Sequence, residues 1–361
     1  MGSTPVRGIG PMAQLASAPL WHRGGREFES RWVHYFMKIL VTGATGFLGH
    51  HLTKRLIRDG YEVRILKEKN TSSDLIGDLK LEIIEGDIRD LETVKKAVSG
   101  CDIVFHLAGL ISYWNGLDSL LYEINVIGTE NIVETCLEEK VERLIHVSST
   151  AAVGNEPEKK LADEETVYNL WDLKINYCDT KYLGEIRVKK GIEKGLDAVI
   201  VCPGSMYGSG DIRRVKEDPI FSKGFSTLFY IKGGLGVVDV EDVVEGLILA
   251  WKRGKTGQRY ILVSENLTFF EIRKTIAEVL GKKPPKICLP YPFFLTFAYF
   301  SNWLASLTGK KPKITPAMAR FNKIYFYFSA EKAKKESGIR FRPFEESIER
   351  AVKWYKENGY L

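Results

Sequence analysis

The feature that most constrains the fold of this chain is a cluster of glycines directly after a short apolar run. In KILVTGATGFLGHHL, residues 38–52, the run ends at Thr42 and is followed by Gly43, Gly46 and Gly49. The run predicts a buried strand, and the leucines after it have the spacing of a helix with one apolar face. Gly43 allows a tight turn, Gly46 lets another molecule approach the main chain, and Gly49 lets the helix pack on the strand. The alternative is a plain strand–helix turn.

Strand-like and helix-like segments then alternate as far as residue 205. This alternation predicts an α/β fold, a Rossmann-type doubly wound parallel sheet whose ligands bind at the carboxyl ends of the strands. The predicted strands are 38–43, 61–67, 81–87, 101–109, 142–149 and 196–204, and the predicted helices are 47–60, 91–100, 124–138 and 177–194. In this context the glycine loop favours the diphosphate of a dinucleotide at the N-terminus of the first helix.

The remainder of the chain has a different pattern. We expect a dinucleotide-binding domain over 37–205, with 236–265 returning to it, and a smaller, mostly helical substrate lobe over 206–235 and 266–361. Thr268 and Glu271 form a capping pair that predicts a helix start. The apolar segment 291–309 predicts a buried or partner-facing helix, and the alternative is an interfacial membrane contact.

Composition narrows the class of protein. Residues 1–36 lack helical or strand periodicity and predict a disordered leader or tag, with an organelle presequence as the alternative. Five scattered cysteines without a C-x-x-C motif predict reduced thiols in a cytoplasm, and no metal site. The net charge of +6 comes without a Lys/Arg block. We therefore expect a small-molecule substrate and no nucleic-acid partner, with membrane contact only as the alternative already given for 291–309.

Tyr177 and Lys181 are the candidate catalytic pair. In NYCDTK they stand four residues apart, on one face of a predicted helix. A cation beside a phenol favours the phenolate, so we expect Lys181 to lower the pKa of Tyr177. Tyr177 would then act as a general acid or base near neutral pH. The alternative is an ordinary pair of surface residues.

The motif TGATGFLG resembles the extended branch of the short-chain dehydrogenases/reductases, the NAD-dependent epimerase/dehydratase family. GQRYILVSENLT and FYFSAEKA are similar to dihydroflavonol-reductase-like and hopanoid-associated sugar-epimerase-like proteins. The resemblance covers nearly all of 37–361 and implies an NAD(P)-dependent oxidoreductase. Such an enzyme transfers a hydride between nicotinamide and a ketone or secondary-alcohol carbon. Two alternatives stay open, an NAD-dependent sugar epimerase and a dinucleotide-binding protein without turnover. The resemblance also implies a possible homodimer.

The resemblance assigns roles to particular residues. Ser149 would bind the substrate oxygen beside Tyr177 and Lys181, and Asn125 would help to hold the lysine through water. The cofactor-binding residues would be Gly43, Thr45, Gly46, Phe47, Leu48, Gly49, Lys67, Glu68, Asp87, Ile88, Leu107, Ala108, Gly109, Tyr177, Lys181 and Pro203. The substrate would contact Tyr113, Trp114, Thr150 and Met206. Dehydration is disfavoured because Thr150 and Ala151 stand where dehydratases of this branch carry an Asp-Glu pair.

The choice between NADP and NAD depends on the end of the second predicted strand. An acidic residue there binds the ribose hydroxyls of NAD, and a basic residue accepts the phosphate of NADP. Arg64, Lys67 and Lys69 favour NADP, whereas Glu68 favours NAD. We predict NADP or NAD as the cofactor, with a slight preference for NADP. The aromatic run FFLTFAYFSNW, residues 293–303, fits an apolar substrate of lipid-like or polyketide-like character.

Overall fold

The computed structural model describes residues 37–72, 74–77, 79–157, 160–218, 220–221 and 228–361. The predicted leader, residues 1–36, lies outside the described residues.

A seven-stranded sheet forms the centre of the molecule, and all of its strand pairs are parallel. Its strands are β1 (Lys38–Thr42), β2 (Glu62–Lys67), β3 (Glu82–Glu85), β4 (Ile103–His106), β5 (Arg143–Val147), β6 (Ala198–Pro203) and β10 (Arg259–Leu262). Their order is β10-β6-β5-β4-β1-β2-β3, so the direction of winding reverses between β1 and β4. The predicted doubly wound sheet is confirmed.

Helices cover both faces of this sheet. They are α1 (Phe47–Arg58), α2 (Leu91–Val98), α3 (Asp118–Tyr122), α4 (Thr129–Glu138), α5 (Asn176–Glu193) and α7 (Val240–Arg253), whereas α6 (Ile212–Glu217) packs with Val237 and Ile272 in the later part of the chain. Side chains of β1 alternate between the two faces, as the pleat of a strand requires. Leu40 packs with α2, α4 and α5, whereas Ile39 and Val41 pack with α1 and α7. Two apolar layers therefore hold the sheet, one on each face.

The rest of the chain contains several strands, whereas we expected a mostly helical lobe. β7 (Ser205–Tyr207), β9 (Gly234–Asp239), β11 (Glu265–Thr268) and β13 (Tyr325–Phe326) form a second sheet, and β8 (Phe229–Ile231) pairs with β12 (Ile287–Leu289). The helices are α8 (Phe269–Val279), α9 (Tyr291–Thr308), α10 (Pro316–Phe321), α11 (Glu331–Ser337) and α12 (Phe344–Glu357). Thr268 and Glu271 form the predicted capping box at the start of α8. β10 joins the central sheet and β9 the second sheet, and the domain boundaries stay a prediction.

Helix α9 departs from the expectation of burial. Its two buried residues are Ala298 and Ala305, whereas Phe293 is 72% exposed and Trp303 is 56% exposed. This face is therefore not buried within the chain, and the partner-facing form of the prediction stays a prediction. Within the described residues, none of the helices is both long enough and apolar enough to cross a membrane.

Candidate active site

The glycine loop joins β1 to α1 at the point where the strand order reverses. A Cβ on Gly43 would lie 2.8 Å from the main-chain nitrogen of Ala108, and a Cβ on Gly49 would lie 2.0 Å from the carbonyl oxygen of Gly43. Gly43 also has a φ of +70°, a conformation that glycine adopts without strain. The loop can therefore keep this shape only with glycine at both positions.

The loop also leaves the first turn of α1 open to a ligand. Gly46 is the N-cap residue and is exposed, and within the described part of the chain no side chain caps this helix end. The first main-chain N–H groups of a helix have no partner inside the helix and attract negative charge. Thr45, Phe47 and Leu48 lie around this turn, as predicted. The glycine loop and the first turn of α1 form a cradle that fits the diphosphate of a dinucleotide. Its main-chain N–H groups can bind the phosphate oxygens, and the absence of a Cβ at Gly46 leaves room for them.

The end of β4 is fixed against the end of β1. Thr42 Oγ1 lies 2.8 Å from Nδ1 of the buried His106, and it accepts a hydrogen bond from the main-chain nitrogen of Ala108 over 3.1 Å. Leu107 N donates to the carbonyl oxygen of Thr42 over 3.3 Å. The predicted cofactor residues Leu107 and Ala108 therefore lie beside Gly43.

Asn125 lies in a π-helical turn, Glu123–Gly128, that precedes α4. Its Oδ1 accepts from Leu110 N over 2.8 Å, and its Nδ2 donates to Leu110 O over 3.0 Å and to Thr180 Oγ1 over 3.1 Å. The side chain thus ties the loop after β4 to helix α5. A Cβ on Gly109, in the same loop, would lie 3.2 Å from Asn125 Oδ1. The role of Asn125 in holding the lysine through water stays a prediction.

Ser149 and Tyr177 are brought together as the sequence predicts. The Ser149 hydroxyl interacts with the Tyr177 phenol, and Ser149 Oγ accepts from Ala151 N over 3.1 Å. Tyr177 is buried, and this burial raises the pKa of its phenol to about 12, with the Ser149 hydroxyl acting in the opposite direction. Thr150 follows Ser149 directly and begins a short 3-10 turn.

Lys181 lies one helical turn after Tyr177 and donates from Nζ to the carbonyl oxygen of Val147 over 2.9 Å. Burial lowers the pKa of Lys181 to about 8, and the carboxylate of Glu185 acts in the opposite direction. The expectation that Lys181 lowers the pKa of Tyr177 is wrong. Desolvation is the largest effect on the phenol, and desolvation acts against the charged form of an acid.

Glu185 is a site residue that the sequence reading missed. It is fully buried and accepts from Ser148 Oγ over 2.6 Å and from Cys202 Sγ over 3.4 Å. Arg259 Nε lies 3.7 Å from its second carboxylate oxygen. One signal could have found it, since Glu185 follows Lys181 by four residues and shares its helix face. The predicted cofactor residue Pro203, next to Cys202, ends β6.

The side of the site away from the glycine loop is aromatic. The ring of Tyr113 meets the ring of Tyr177 edge to face at 5.8 Å between centroids, and it lies 5.4 Å from the ring of Phe321 in α10. Phe321 in turn stacks on Phe326 at 4.4 Å. Phe321 was not among the predicted residues, because it stands far from the motifs in sequence. This wall is continuous from Tyr177 to α10.

Two other predicted substrate residues have neighbours of their own, and their contact with a substrate stays a prediction. Trp114 packs over Gly116, where a Cβ would lie 2.6 Å from the indole ring. Met206, in β7, packs against the apolar layer that also contains α1 and α7. Of the four predicted substrate residues, Tyr113 is therefore the one in ring contact with Tyr177. In the part of the chain that the structure describes, no group of three or more His, Cys, Asp and Glu is placed to hold a metal ion.

The predicted adenosine end lies at the carboxyl ends of β2 and β3. Asp87 pairs with Arg89 over 2.6 Å, and this guanidinium lowers the pKa of the carboxyl group. Ile88 packs against Gly128 in the π-helical turn. Lys67 is the last residue of β2, and Glu68 follows it in an exposed position. Both therefore stand at the strand end where the sequence predicts them.

Arg64 does not contribute to the choice of cofactor in the way that we expected. Its guanidinium is buried and donates to the carbonyl oxygens of Ala97 and Ser99 over 2.9 and 2.6 Å. It also pairs with Glu82 over 2.9 Å. These contacts place Arg64 at the carboxyl end of α2, where a cation stabilises the helix dipole. The ribose phosphate of NADP could bind Arg64 only in competition with these three partners of its guanidinium.

Comparison with known proteins agrees with this geometry. Residues 39–262 match the family model described as the NAD dependent epimerase/dehydratase family. A putative dihydroflavonol 4-reductase from Synechocystis sp. is 31% identical to this chain over 338 residues, which cover 92% of this chain and 98% of that protein. Sterol demethylase protein B from Methylococcus capsulatus is 27% identical over 332 residues, which cover 90% of this chain and 100% of that protein.

A solved structure is also similar to this fold over most of its length. The crystal structure of gox2253 has a TM-score of 0.78 and a sequence identity of 34%, and the similar region covers 90% of this chain and 99% of that one. The similarity extends beyond the glycine loop to both sheets and to the helices around them.

Proposed function

We propose a function from one premise: the chain belongs to the NAD dependent epimerase/dehydratase family, and its members are enzymes that use nicotinamide dinucleotides. The proposed reaction is hydride transfer between the nicotinamide and the carbon of a ketone or secondary alcohol. Tyr177 is the proposed general acid and base, and an apolar molecule is the proposed substrate.

The observation that carries this proposal is the Ser149 hydroxyl beside the buried phenol of Tyr177, one helical turn from Lys181. When a dinucleotide is bound in the glycine cradle, it supplies or accepts the hydride. The raised pKa of Tyr177 keeps its proton on the phenol at neutral pH, so the phenol can donate that proton to the oxygen of a ketone being reduced. The Ser149 hydroxyl lies beside the phenol and stabilises charge on the same oxygen.

Two features favour a reductase or dehydrogenase over a sugar epimerase. The ring of Tyr113 and the stacked rings of Phe321 and Phe326 form an apolar wall beside Tyr177. Such a wall contacts a fused-ring or aromatic ketone over a large area, whereas a sugar would leave its hydroxyls without partners there. Two relatives are named as a dihydroflavonol reductase and a sterol demethylase protein, and both names refer to polycyclic molecules.

For the cofactor, we infer a preference for NADP that depends on Lys67 and Lys69. Arg64 no longer supports it, because that side chain is occupied at the end of α2. Lys67 ends β2 and Lys69 is exposed in the following loop, so both can face a phosphate on the adenosine ribose. Glu68 stands between them and opposes the preference.

The test of the reaction is Tyr177→Phe, assayed with NADPH or NADH against a panel of polycyclic and aromatic ketones. We expect turnover to fall by about 10²–10⁴-fold with cofactor binding retained. The matched control is Tyr355→Phe, which removes a buried phenol that donates to Gly208 O over 2.9 Å outside the site. Retained activity in Tyr177→Phe would refute the mechanism. Release of stoichiometric NAD on denaturation, with no net change in nicotinamide redox state during turnover, would establish the epimerase instead.

A further inference from the structure

Helix α9 presents a continuous apolar face to solvent. Phe293, Phe297, Phe300, Leu304 and Leu307 follow one another at spacings of four and three residues, which places them on one side of a helix. Each is between 46 and 72% exposed. At 18 residues the helix is about 27 Å long, so the stripe extends over most of one side of it.

The opposite face of α9 is the one that packs on the protein. Ala298 and Ala305 are buried there, and Phe294 and Leu295 are partly buried. Tyr299 and Trp303 flank the exposed stripe and are each 56% exposed. Helix α9 therefore packs on the protein through small residues and exposes aromatic residues to water. A contiguous exposed apolar surface of this kind is typical of an interaction site. The exposed stripe, with Tyr299 and Trp303, is called the aromatic face below.

The charge around the aromatic face has one sign. Residues 279–330 contain eight basic residues and no acidic one, although the whole chain has a net charge of only +6. Six of these lysines are exposed: Lys283, Lys286, Lys310, Lys311, Lys313 and Lys323. Three of them follow α9 directly, two lie before it, and Lys323 Nζ stands 4.9 Å above the ring of Tyr291 at its start. Cations therefore border the aromatic face at both ends.

We propose that the aromatic face docks on the surface of a lipid bilayer that contains anionic lipids. Phenylalanine and leucine on such a helix enter the boundary between headgroups and acyl chains, and tryptophan and tyrosine favour the same level. The flanking lysines contact the anionic headgroups, and each contact raises the membrane partition coefficient roughly fivefold. The buried alanine face keeps α9 against the protein, so the helix lies parallel to the membrane.

A second copy of this chain is a poorer occupant of the aromatic face. Because the exposed lysines stand at both ends of α9, a pair of facing helices would bring like charges together in either orientation. A bilayer surface with anionic headgroups removes this repulsion and neutralises the lysines. The charge pattern therefore favours lipid over self-association.

The aromatic face is also connected to the candidate active site. α9 is followed by α10, whose Phe321 reaches the ring of Tyr113 and through it Tyr177. An apolar substrate dissolved in the bilayer would then enter along this wall, an extension that rests on the proposed function. Membrane docking itself does not depend on that extension, because vesicle binding can be measured without a substrate.

The test is flotation of the purified full-length chain with vesicles of phosphatidylcholine alone and of phosphatidylcholine with phosphatidylglycerol. We expect binding to the mixed vesicles, weakened by added salt. Phe297→Ser/Phe300→Ser should lower the partition coefficient at least tenfold, and Lys310→Glu/Lys311→Glu roughly tenfold or more. The matched controls are Leu161→Ser/Val167→Ser, at two exposed apolar residues elsewhere, and Lys190→Glu/Lys194→Glu, at two exposed lysines elsewhere. Both controls should bind as the unmodified chain does.

Three outcomes would overturn the proposal. The unmodified chain does not float with the mixed vesicles, or the Phe297→Ser/Phe300→Ser and Lys310→Glu/Lys311→Glu variants both bind as well as it does. Alternatively, the chain is a dimer in solution that Phe297→Ser/Phe300→Ser converts to a monomer without any vesicle binding, which would identify a second copy as the occupant. Loss of catalytic activity in Tyr177→Phe with normal flotation separates the two proposals, because the reaction then depends on the site and the docking does not.

Discussion

Lys181 Nζ donates a hydrogen bond to the carbonyl oxygen of Val147, the last residue of β5, over 2.9 Å. This contact joins helix α5 to the carboxyl edge of the central sheet, directly before Ser148 and Ser149. It leaves the ammonium group buried, and burial lowers the pKa of Lys181 to about 8. The folded chain therefore releases this proton in a pH range where an exposed lysine retains it.

We predict that Lys181 makes the free energy of unfolding rise with pH between about 8 and 10. Below pH 8 both states are protonated, and the folded state bears the cost of burying the cation. Between the lowered pKa and the usual value of 10.5, the unfolded chain binds more protons than the folded one, so stability increases. The increase should be about 2 kcal/mol. Urea unfolding of the unmodified chain and Lys181→Met across this range checks it, and parallel pH profiles for the two proteins would contradict it.

The glycine loop predicts two different effects from one added methyl group. Gly49→Ala places a Cβ 2.0 Å from the carbonyl oxygen of Gly43 and should cost about 1–3 kcal/mol of stability. Gly46→Ala places its Cβ 3.2 Å from the same oxygen, with a backbone conformation that alanine adopts, and should fold almost normally. It should nevertheless lose dinucleotide binding, because the methyl group occupies the cradle. Unfolding curves and NADPH titrations of both variants check this, and normal NADPH binding by Gly46→Ala would show that the diphosphate lies elsewhere.

The sheet and the helix face shared by Tyr177 and Lys181 could be predicted from the sequence for a physical reason. Buried strands require apolar runs, and helices packed on a sheet require one apolar face, so both patterns are visible in the sequence. The loop after β1 requires glycine because a Cβ would overlap with neighbouring main-chain atoms. Tyr177 and Lys181 are four residues apart, so they lie on the same face of a helix in any tertiary structure. These features are local, so a single sequence contains them.

The errors concern surroundings that are distant in sequence. Arg64 looked like a phosphate ligand, but its side chain reaches the carboxyl end of α2, which no local pattern indicates. The pKa of Tyr177 depends on how much protein covers the phenol, and that cover includes Tyr113, far away along the chain. Glu185 was not predicted, because the residue that faces its second carboxylate oxygen, Arg259 from β10, is distant in sequence.

The preference for NADP predicts opposite effects at neighbouring residues. Lys67→Ala should raise the KM for NADPH roughly tenfold and leave the KM for NADH nearly unchanged, because one charge-assisted contact to the ribose phosphate is lost. Glu68→Ala should lower the KM for NADPH, because it removes a negative charge beside the phosphate of the cofactor. Steady-state kinetics with both cofactors check this. A KM for NADH that rises more than that for NADPH in Lys67→Ala would reverse the assigned preference.

Glu185 gives the last prediction, because it couples the site to the sheet beneath it. Glu185→Gln keeps the shape of the side chain and an acceptor for Ser148 Oγ, but it removes the negative charge beside Arg259. The partly buried guanidinium of Arg259 then lacks its partner, which should cost about 1–3 kcal/mol of stability. The same change should lower the pKa of Lys181 further, since the carboxylate of Glu185 holds that pKa up.

Two measurements separate these effects of Glu185→Gln. Urea unfolding at neutral pH gives the loss of stability, and the pH at which stability begins to rise should move below that of the unmodified chain. The double variant Glu185→Gln/Arg259→Met removes the stranded cation, so it should recover part of the stability but keep the shifted pH profile. A single variant as stable as the unmodified chain would show that Glu185 and Arg259 do not form an ion pair. A shifted profile would even then connect Glu185 to Lys181, because only the charge of Glu185 has changed.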